Sequence, residues 1–343
     1  MATTRKNTPM QPFYITGHSR PVRKVLHNHD GDLLFSCSDD GKVAMYDTRQ
    51  CVRTGQFDVQ SACTSIDVTK DSKYVLATSV DGVTIFNVAD GTAAAQMKVP
   101  GNRKVQVQLA FGDRQFFLIF VNNRTTQLHV YDLAAVLASG TGDNTPKPVK
   151  EISPTNQMEF TNAVWGPLNK TIYVATKTGK VQIIDVGSGK VIKDAQIHAE
   201  EIYQLSMSHD FTMLFTASRD GTSRLLHPET FEEVRKYSFS NKACRSVAVS
   251  PLFDSHEWQK FHILMAGGQD ARDVALTGED AGGFEIRLQS VIFNEQLAEI
   301  HGHFGPVHTV DFSPDGFGFA SGGEDGYVHY HRFPPEYFTS DFE

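Results

Sequence analysis

The 343-residue sequence predicts an all-β protein, a seven-bladed β-propeller of WD-type repeats, and three observations lead there. Residues 17–31, GHSRPVRKVLHNHDG, and residues 302–316, GHFGPVHTVDFSPDG, share one frame of Gly-His, Pro-Val, a second Val and a closing Asp-Gly. His18 is followed by Asp40, His198 by Asp220 and His303 by Asp325, each 22 residues on. A hydroxyl stands four residues before each aspartate, at Ser36, Thr216 and Ser321. Turn positions at 40, 81, 125, 178, 220, 270 and 325 divide the chain into units of 41 to 55 residues made of short strand-like runs. A period near 40 residues built only from strands and turns is the signature of a WD-type propeller.

The elements follow in order. The segment PFYIT (12–16) alternates like a strand ahead of the first Gly-His. A ring must join its first and last units or leave a sheet edge exposed. This strand is therefore expected to complete the blade that holds residues 302–333, which would make the two shared frames neighbours. Blade one has its turn at Asp40 and the run KVAMYD (42–47). Blade two, YVLATSVDGVTIFNV (74–88), keeps the turn at Asp81 without a Gly-His, and blade three, FFLIFVNNRTTQLHVYD (116–132), keeps only the strand pattern. In blade four, TIYVATKTGKVQIID (171–185), Thr178 takes the turn position. Blade five runs through Asp220 into TSRLLH (222–227), blade six, HILMAGGQDARDVAL (262–276), offers Asp270, and blade seven ends on YVHYHR (327–332). Blades bury both faces against their neighbours, hence the β-branched and aromatic runs. The Asp-Gly pairs supply positive φ where a tight hairpin needs it.

The propeller is expected over 12–335, after a flexible tail at 1–11 and before an aromatic-acidic end, EYFTSDFE (336–343). Residues 134–158, rich in small residues, Gly, Pro and Thr, read as a mobile loop between blades three and four. Residues 252–261 lengthen a blade-six hairpin, and 270–297 read as a second, long one with an acidic tip at Glu279 and Asp280.

His, Ser/Thr and Asp at fixed offsets can form a buried network tying one blade's outer loop to its inner hairpin, where each polar group needs a partner. Three copies of the set argue against a hydrolase triad, because an enzyme needs one. WD repeats often carry Trp six residues after the turn aspartate. Tyr46, Leu226 and His331 stand there instead, so the network is expected to be one member short. His27, His29, His329 and His331 read as strand or rim residues with no ligand role.

A net charge of −8 argues against a general nucleic-acid binder, which needs a basic footprint. The longest apolar run, FFLIFV (116–121), falls far short of the ~20 residues of a membrane span. MATTRKNTPM lacks the apolar core of a secretory signal. Cys37, Cys51, Cys63 and Cys244 show no metal-ligand spacing and read as reduced, buried fillers of strand positions, as in the cytosol. Gly278, Gly282 and Gly283 do not make a phosphate loop, since no Lys-Ser/Thr follows. No H-E-x-x-H, G-x-S-x-G or G-x-G-x-x-G occurs, and neither metal nor cofactor is expected.

NAVWGPL (162–168), GGQDARDVALT (267–277), GGFEIR (282–287), GHFGPVHTV (302–310), SGGEDGYV (321–328) and the closing EYFTSDFE resemble subunit i of eukaryotic translation initiation factor 3. The resemblance runs from about residue 12 to 343 and is strongest after 160. Blades two and three match less well, and the 134–158 segment looks enlarged. The resemblance implies a cytoplasmic, non-catalytic scaffold within the complex that prepares the small ribosomal subunit for messenger recruitment. It also implies that the C-terminal part of subunit b and the N-terminal part of subunit g are held on the propeller, with no membrane and no sequence-specific nucleic acid as partner. The b-subunit helix would dock near blades five and six, on Asp210 in SHDFT, Leu225 and His227 in SRLLHPE, and Gln269 in GGQDA. A charge is expected to be lost at His227. The rivals are a WD-repeat signalling adaptor of the receptor- or kinase-associated type, a propeller hydrolase with converging acids in its channel, and an RNA patch at Arg20, Arg23 and Lys24.

Overall fold

The computed structural model describes residues 13–142, 145–154, 158–239, 242–251, 260–269 and 283–339. Seven four-stranded antiparallel sheets follow one another along the chain as blades. Blade one spans Val22 to Asp58, blade two Ile66 to Lys98, blade three Arg103 to Ile152 and blade four Phe160 to Gln196. Blade five spans Ile202 to Ser238 and blade six Cys244 to Ile300. Blade seven takes three strands from Val307 to Arg332 and its fourth from Phe13–Thr16, at the other end of the chain.

That pairing closes the ring. Phe13 sits opposite Tyr330, Tyr14 opposite His329 and Ile15 opposite Val328. Ile15 is buried with Val22, Val328 and Tyr330 in the core between blades seven and one. The two shared frames are neighbours: the Val25 amide donates to Thr309 Oγ1 (3.2 Å) and the His27 amide to Asp311 Oδ2 (2.8 Å).

Burial along each blade explains its composition. Second strands such as LFTAS (214–218), HILMAG (262–267) and GFASGG (318–323) are buried at every residue, because sheets cover them on both faces. Fourth strands such as VIKDAQ (191–196) lie at the outside and alternate with solvent. The core is a series of interblade layers. Leu76, Val83 and Met97 of blade two meet Val107, Phe116 and Phe120 of blade three, for example. At the blade-four turn Gly179 has φ 81°, and a Cβ there would stand 2.1 Å from the His198 carbonyl oxygen, so only glycine fits.

Several expectations need correction. The 134–158 segment is not a loop throughout. Asp132 Oδ1 accepts the Ala135 amide (2.8 Å) and caps a helix, Leu133–Ser139, whose Leu133 and Val136 are buried; Lys150–Ile152 is the outermost strand of blade three. The blade-three turn falls on Asn123 and Arg124, both with left-handed φ, and Thr125 already opens the next strand. Within 270–297, Ile286–Ser290 is the third strand of blade six and Gln296 begins the fourth. Of the closing segment, Pro335–Thr339 forms a short helix whose Tyr337 is buried, its hydroxyl 2.7 Å from His262 Nδ1. Cys51 is a half-buried turn residue with φ 55°, while Cys37, Cys63 and Cys244 are buried. The tail at 1–11 and residues 252–259, 270–282 (with Asp270, Glu279 and Asp280) and 340–343 lie outside the described residues.

Candidate functional site

Each histidine network is built by one hairpin and the loop that precedes its blade. In blade one, His18 Nδ1 lies 3.0 Å from Asp40 and Nε2 lies 2.7 Å from Ser36 Oγ. An ionised carboxylate only accepts, so Nδ1 carries the proton and the Ser36 hydroxyl donates to Nε2. Asp40 also accepts the amides of Ser19 and Lys42, both at 3.1 Å, and so fastens the incoming loop to the hairpin. In blade five, His198 meets Asp220 at 2.8 Å and Thr216 at 2.6 Å, and Thr222 adds its hydroxyl to Asp220 at 2.6 Å. In blade seven, His303 meets Asp325 at 2.9 Å and Ser321 at 2.9 Å, while Asp325 takes the amides of Phe304 and Tyr327.

The networks of blades one and five are not short of a donor. The Tyr46 hydroxyl reaches Ser36 Oγ at 3.1 Å in blade one, and the Arg224 amide reaches Thr216 Oγ1 at 3.2 Å in blade five. In blade one the phenol takes the indole's role as donor; in blade five Leu226 brings no donor, and the Arg224 amide reaches Thr216 from the paired strand.

Burial pushes the Asp220 carboxyl up, but hydrogen bonds from His198 and Thr222 outweigh it and hold the group well below the usual carboxylate range. Removing the carboxylate leaves the buried His198 Nδ1–H only the Thr222 hydroxyl, at 3.3 Å, as an acceptor. Asp220→Ala is expected to cost about 2–4 kcal/mol and Thr216→Val about 1 kcal/mol, read as midpoints of urea unfolding. Equal midpoints for wild type and Asp220→Ala would contradict the role given to the network.

His303, Asp325 and His329 bring three possible metal ligands within 4.8 Å of one another. The two imidazoles, however, stack with centroids 3.8 Å apart and planes 13° from parallel. Parallel rings send their lone pairs side by side instead of converging, and both His303 nitrogens are engaged by Asp325 and Ser321. The trio is packing and network. His331, at the position six after Asp325, stacks on Phe319 at 4.4 Å and is buried with neither ring nitrogen hydrogen-bonded.

A second interblade device could not be read from residue types. The Val25 amide donates to Thr309 Oγ1 (3.2 Å), Val107 to Ser65 Oγ (3.2 Å), Ala163 to Gln106 Oε1 (2.7 Å) and Leu205 to Asn162 Oδ1 (2.9 Å). Val247 donates to Gln204 Oε1 (3.2 Å) and Val310 to Ser246 Oγ (3.0 Å). Five of the six acceptors sit on the first strand of one blade, Ser65 immediately precedes that of blade two, and each amide lies on the first strand of the next blade. Gln106, Asn162, Gln204, Ser246 and Thr309 all directly follow a β-bulge, which re-aims the side chain. In blade one that place belongs to Lys24, which has no acceptor.

The four residues assigned to partner binding are not brought together. Asp210 lies in the exposed loop between the first and second strands of blade five, where its carboxylate accepts Ser208 Oγ–H (2.6 Å) and Thr212 Oγ1–H (2.8 Å). His227 is exposed in the loop between the third and fourth strands, at the same end of the blade, and accepts the Thr230 amide at 3.3 Å. Gln269 follows the second strand of blade six, and antiparallel order puts it at the opposite end of the ring. Leu225 is 4 % exposed and packs with Phe215, Tyr237 and Val247 between blades five and six, so it presents no docking surface.

A closed ring of seven four-stranded blades carrying three His–hydroxyl–Asp networks defines a WD-repeat β-propeller. The β-propeller domain of Cps50 (Swd1) from Myceliophteria thermophila superimposes with a TM-score of 0.74 at 15 % identity, over 95 % of this chain and 100 % of that one, a likeness of fold alone. The EIF3I family model matches residues 10–343. Subunit I of eukaryotic translation initiation factor 3 from Homo sapiens is 32 % identical over 337 residues, and that from Drosophila pseudoobscura pseudoobscura 34 % over 340 residues. Each comparison covers 97 % of this chain and 100 % of the relative. The chain belongs to the EIF3I family, the family of subunit I of eukaryotic translation initiation factor 3.

Proposed function

We propose that the chain is a non-catalytic, cytoplasmic scaffold of the initiation factor 3 complex, holding the C-terminal segment of subunit b and the N-terminal segment of subunit g on the outside of its propeller. The observation that carries this reading is the extent of the kinship: the match spans 97 % of this chain and all of the human relative. A rigid ring offers loops and strand edges on which an amphipathic helix or an extended segment can dock.

The subunit-b segment is assigned to the end of blade five that carries Asp210 and His227. Leu225, in the core, and Gln269, at the opposite end, are left out of that contact. Asp210→Asn combined with His227→Glu changes charge at exposed positions and is expected to weaken capture by the immobilised C-terminal segment of subunit b about tenfold. Wild-type capture by the double variant would remove this face. Failure of the wild-type chain to bind either segment would remove the scaffold reading itself.

A further inference from the structure

On the loops joining first to second strands, blades two to four differ from the others. The residue just before the second strand is Lys73 in blade two, Arg114 in blade three and Lys170 in blade four; blades one, five and seven have Asp32, Met213 and Phe317 there. Lys70 adds a fourth cation, its Nζ 5.8 Å from the centroid of the Phe111 ring. Among the described residues, none of these four side chains has a carboxylate within salt-bridge distance, in a chain of net charge −8.

The acids on the same loops, exposed Asp71 and half-buried Asp113, are engaged in hydrogen bonds of these turns. Asp71 accepts the Thr69 hydroxyl (2.7 Å) and the Lys73 amide (3.1 Å) of its own turn. Asp113 accepts the Lys70 amide at 2.6 Å. Two apolar side chains stand out between the cations, Phe111 at 66 % exposed and Leu168 at 78 %. Asn169 clasps the Phe111 backbone from the neighbouring blade, its Oδ1 taking the amide (3.0 Å) and its Nδ2 donating to the carbonyl (2.7 Å). Leu168 is held in the left-handed region at φ 55°, a conformation that L-residues other than Gly and Asn seldom adopt. The two loops are thus pinned together with their apolar tips outward and cations on either side.

We infer that this face of blades two to four is a docking surface for an acidic amphipathic segment of a partner protein, whose aliphatic or aromatic anchor covers Phe111 and Leu168 while its Asp and Glu side chains meet Lys70, Arg114 and Lys170. Charge complementarity selects this occupant. Single-stranded RNA fits less well, because Lys70 lies over the Phe111 ring that a base would stack on, and Leu168 offers no π-face. The surface shares its end of the ring with Asp210 and His227, blade four lying next to blade five, and it is defined by its own residues, Lys70, Phe111, Arg114, Leu168 and Lys170.

The test is selection of random displayed peptides on the full chain, with counter-selection on the Phe111→Ser, Leu168→Ser double variant. Both positions are exposed, so this variant is expected to melt within about 2 °C of wild type. Enriched peptides are expected to carry Leu or Phe flanked by Asp or Glu, and to bind the Lys70→Glu, Lys170→Glu variant at least about tenfold more weakly. Exchanging the peptide's acids for Lys should abolish binding to wild type and restore it on the charge-reversed variant. Enrichment indifferent to the patch, or enrichment of basic peptides, overturns the inference. So does patch-dependent binding of labelled oligouridylate tighter than that of any enriched peptide.

Discussion

Lowering the pH from 7 to 5 is expected to destabilise the protein by about 4 kcal/mol through His329 and His331 alone, at about 2 kcal/mol each. Burial drives both imidazoles down to about 3, helped at His329 by His303 and at His331 by His329 and His303, with Asp325 opposing at His329. In the unfolded chain both titrate near 6.5. Between the two values the unfolded state binds protons that the folded state refuses. The stabilisation is therefore complete above about pH 6.5 and shrinks as pH falls towards 3, where the folded rings protonate too. His262, pushed down to about 4 by burial and Lys260, adds a third loss of the same sign. His331→Phe isolates one contribution. The ring lies on Phe319 with both nitrogens lacking partners, so Phe keeps the stack and removes two unsatisfied polar atoms. The variant is expected to gain about 1 kcal/mol at pH 7 and about 3 kcal/mol at pH 5 over wild type in urea unfolding. A variant that keeps the wild-type pH slope contradicts the assignment.

Ile15→Asp is expected to cost at least about 4 kcal/mol, because it loses an apolar side chain and places a carboxylate in an apolar layer. Ile15 is 6 % exposed, and its layer (Val22, Leu34, Ala44, Val328, Tyr330) joins the first blade to the last. Tyr14, next to it and 60 % exposed, points the other way; Tyr14→Asp should cost less than about 1 kcal/mol. The contrast matters more than either value. Similar losses at both positions would mean that the strand is not seated as a fourth strand with one face inward.

The parts of this fold that were legible in the sequence are those set by residue identity at a constant offset. His18, His198 and His303 each need an aspartate 22 residues on and a hydroxyl between, so chemistry repeats and the eye finds it. The interblade acceptors do the same work with Thr, Ser, Gln and Asn, and a bulge, not a residue type, aims them. The short strand Lys150–Ile152 and the helix Leu133–Ser139 stayed hidden because three residues show no alternation and LAAVLAS is as rich in small residues as a loop. Leu225 was misplaced for a related reason. A propeller strand is covered on both faces, so position along the chain says which end of a blade a residue occupies but not whether it reaches solvent. Tyr46 shows the reverse, a substitution that changes the side chain and keeps the donor.

The claim on which the rest stands is that residues 13–16 complete the seventh blade. Amide hydrogen exchange on the full chain and on one lacking residues 1–16 tests it. The ladder from Phe13↔Tyr330 to Thr16↔Tyr327 predicts protection of both strands in the full chain. In the shortened chain, amides of 327–332 should lose the protection that this pairing gives, while those of blades three and four keep theirs. Fast exchange across 13–16 in the full chain, or unchanged protection of 327–332 after truncation, would contradict a ring closed by the N-terminal strand.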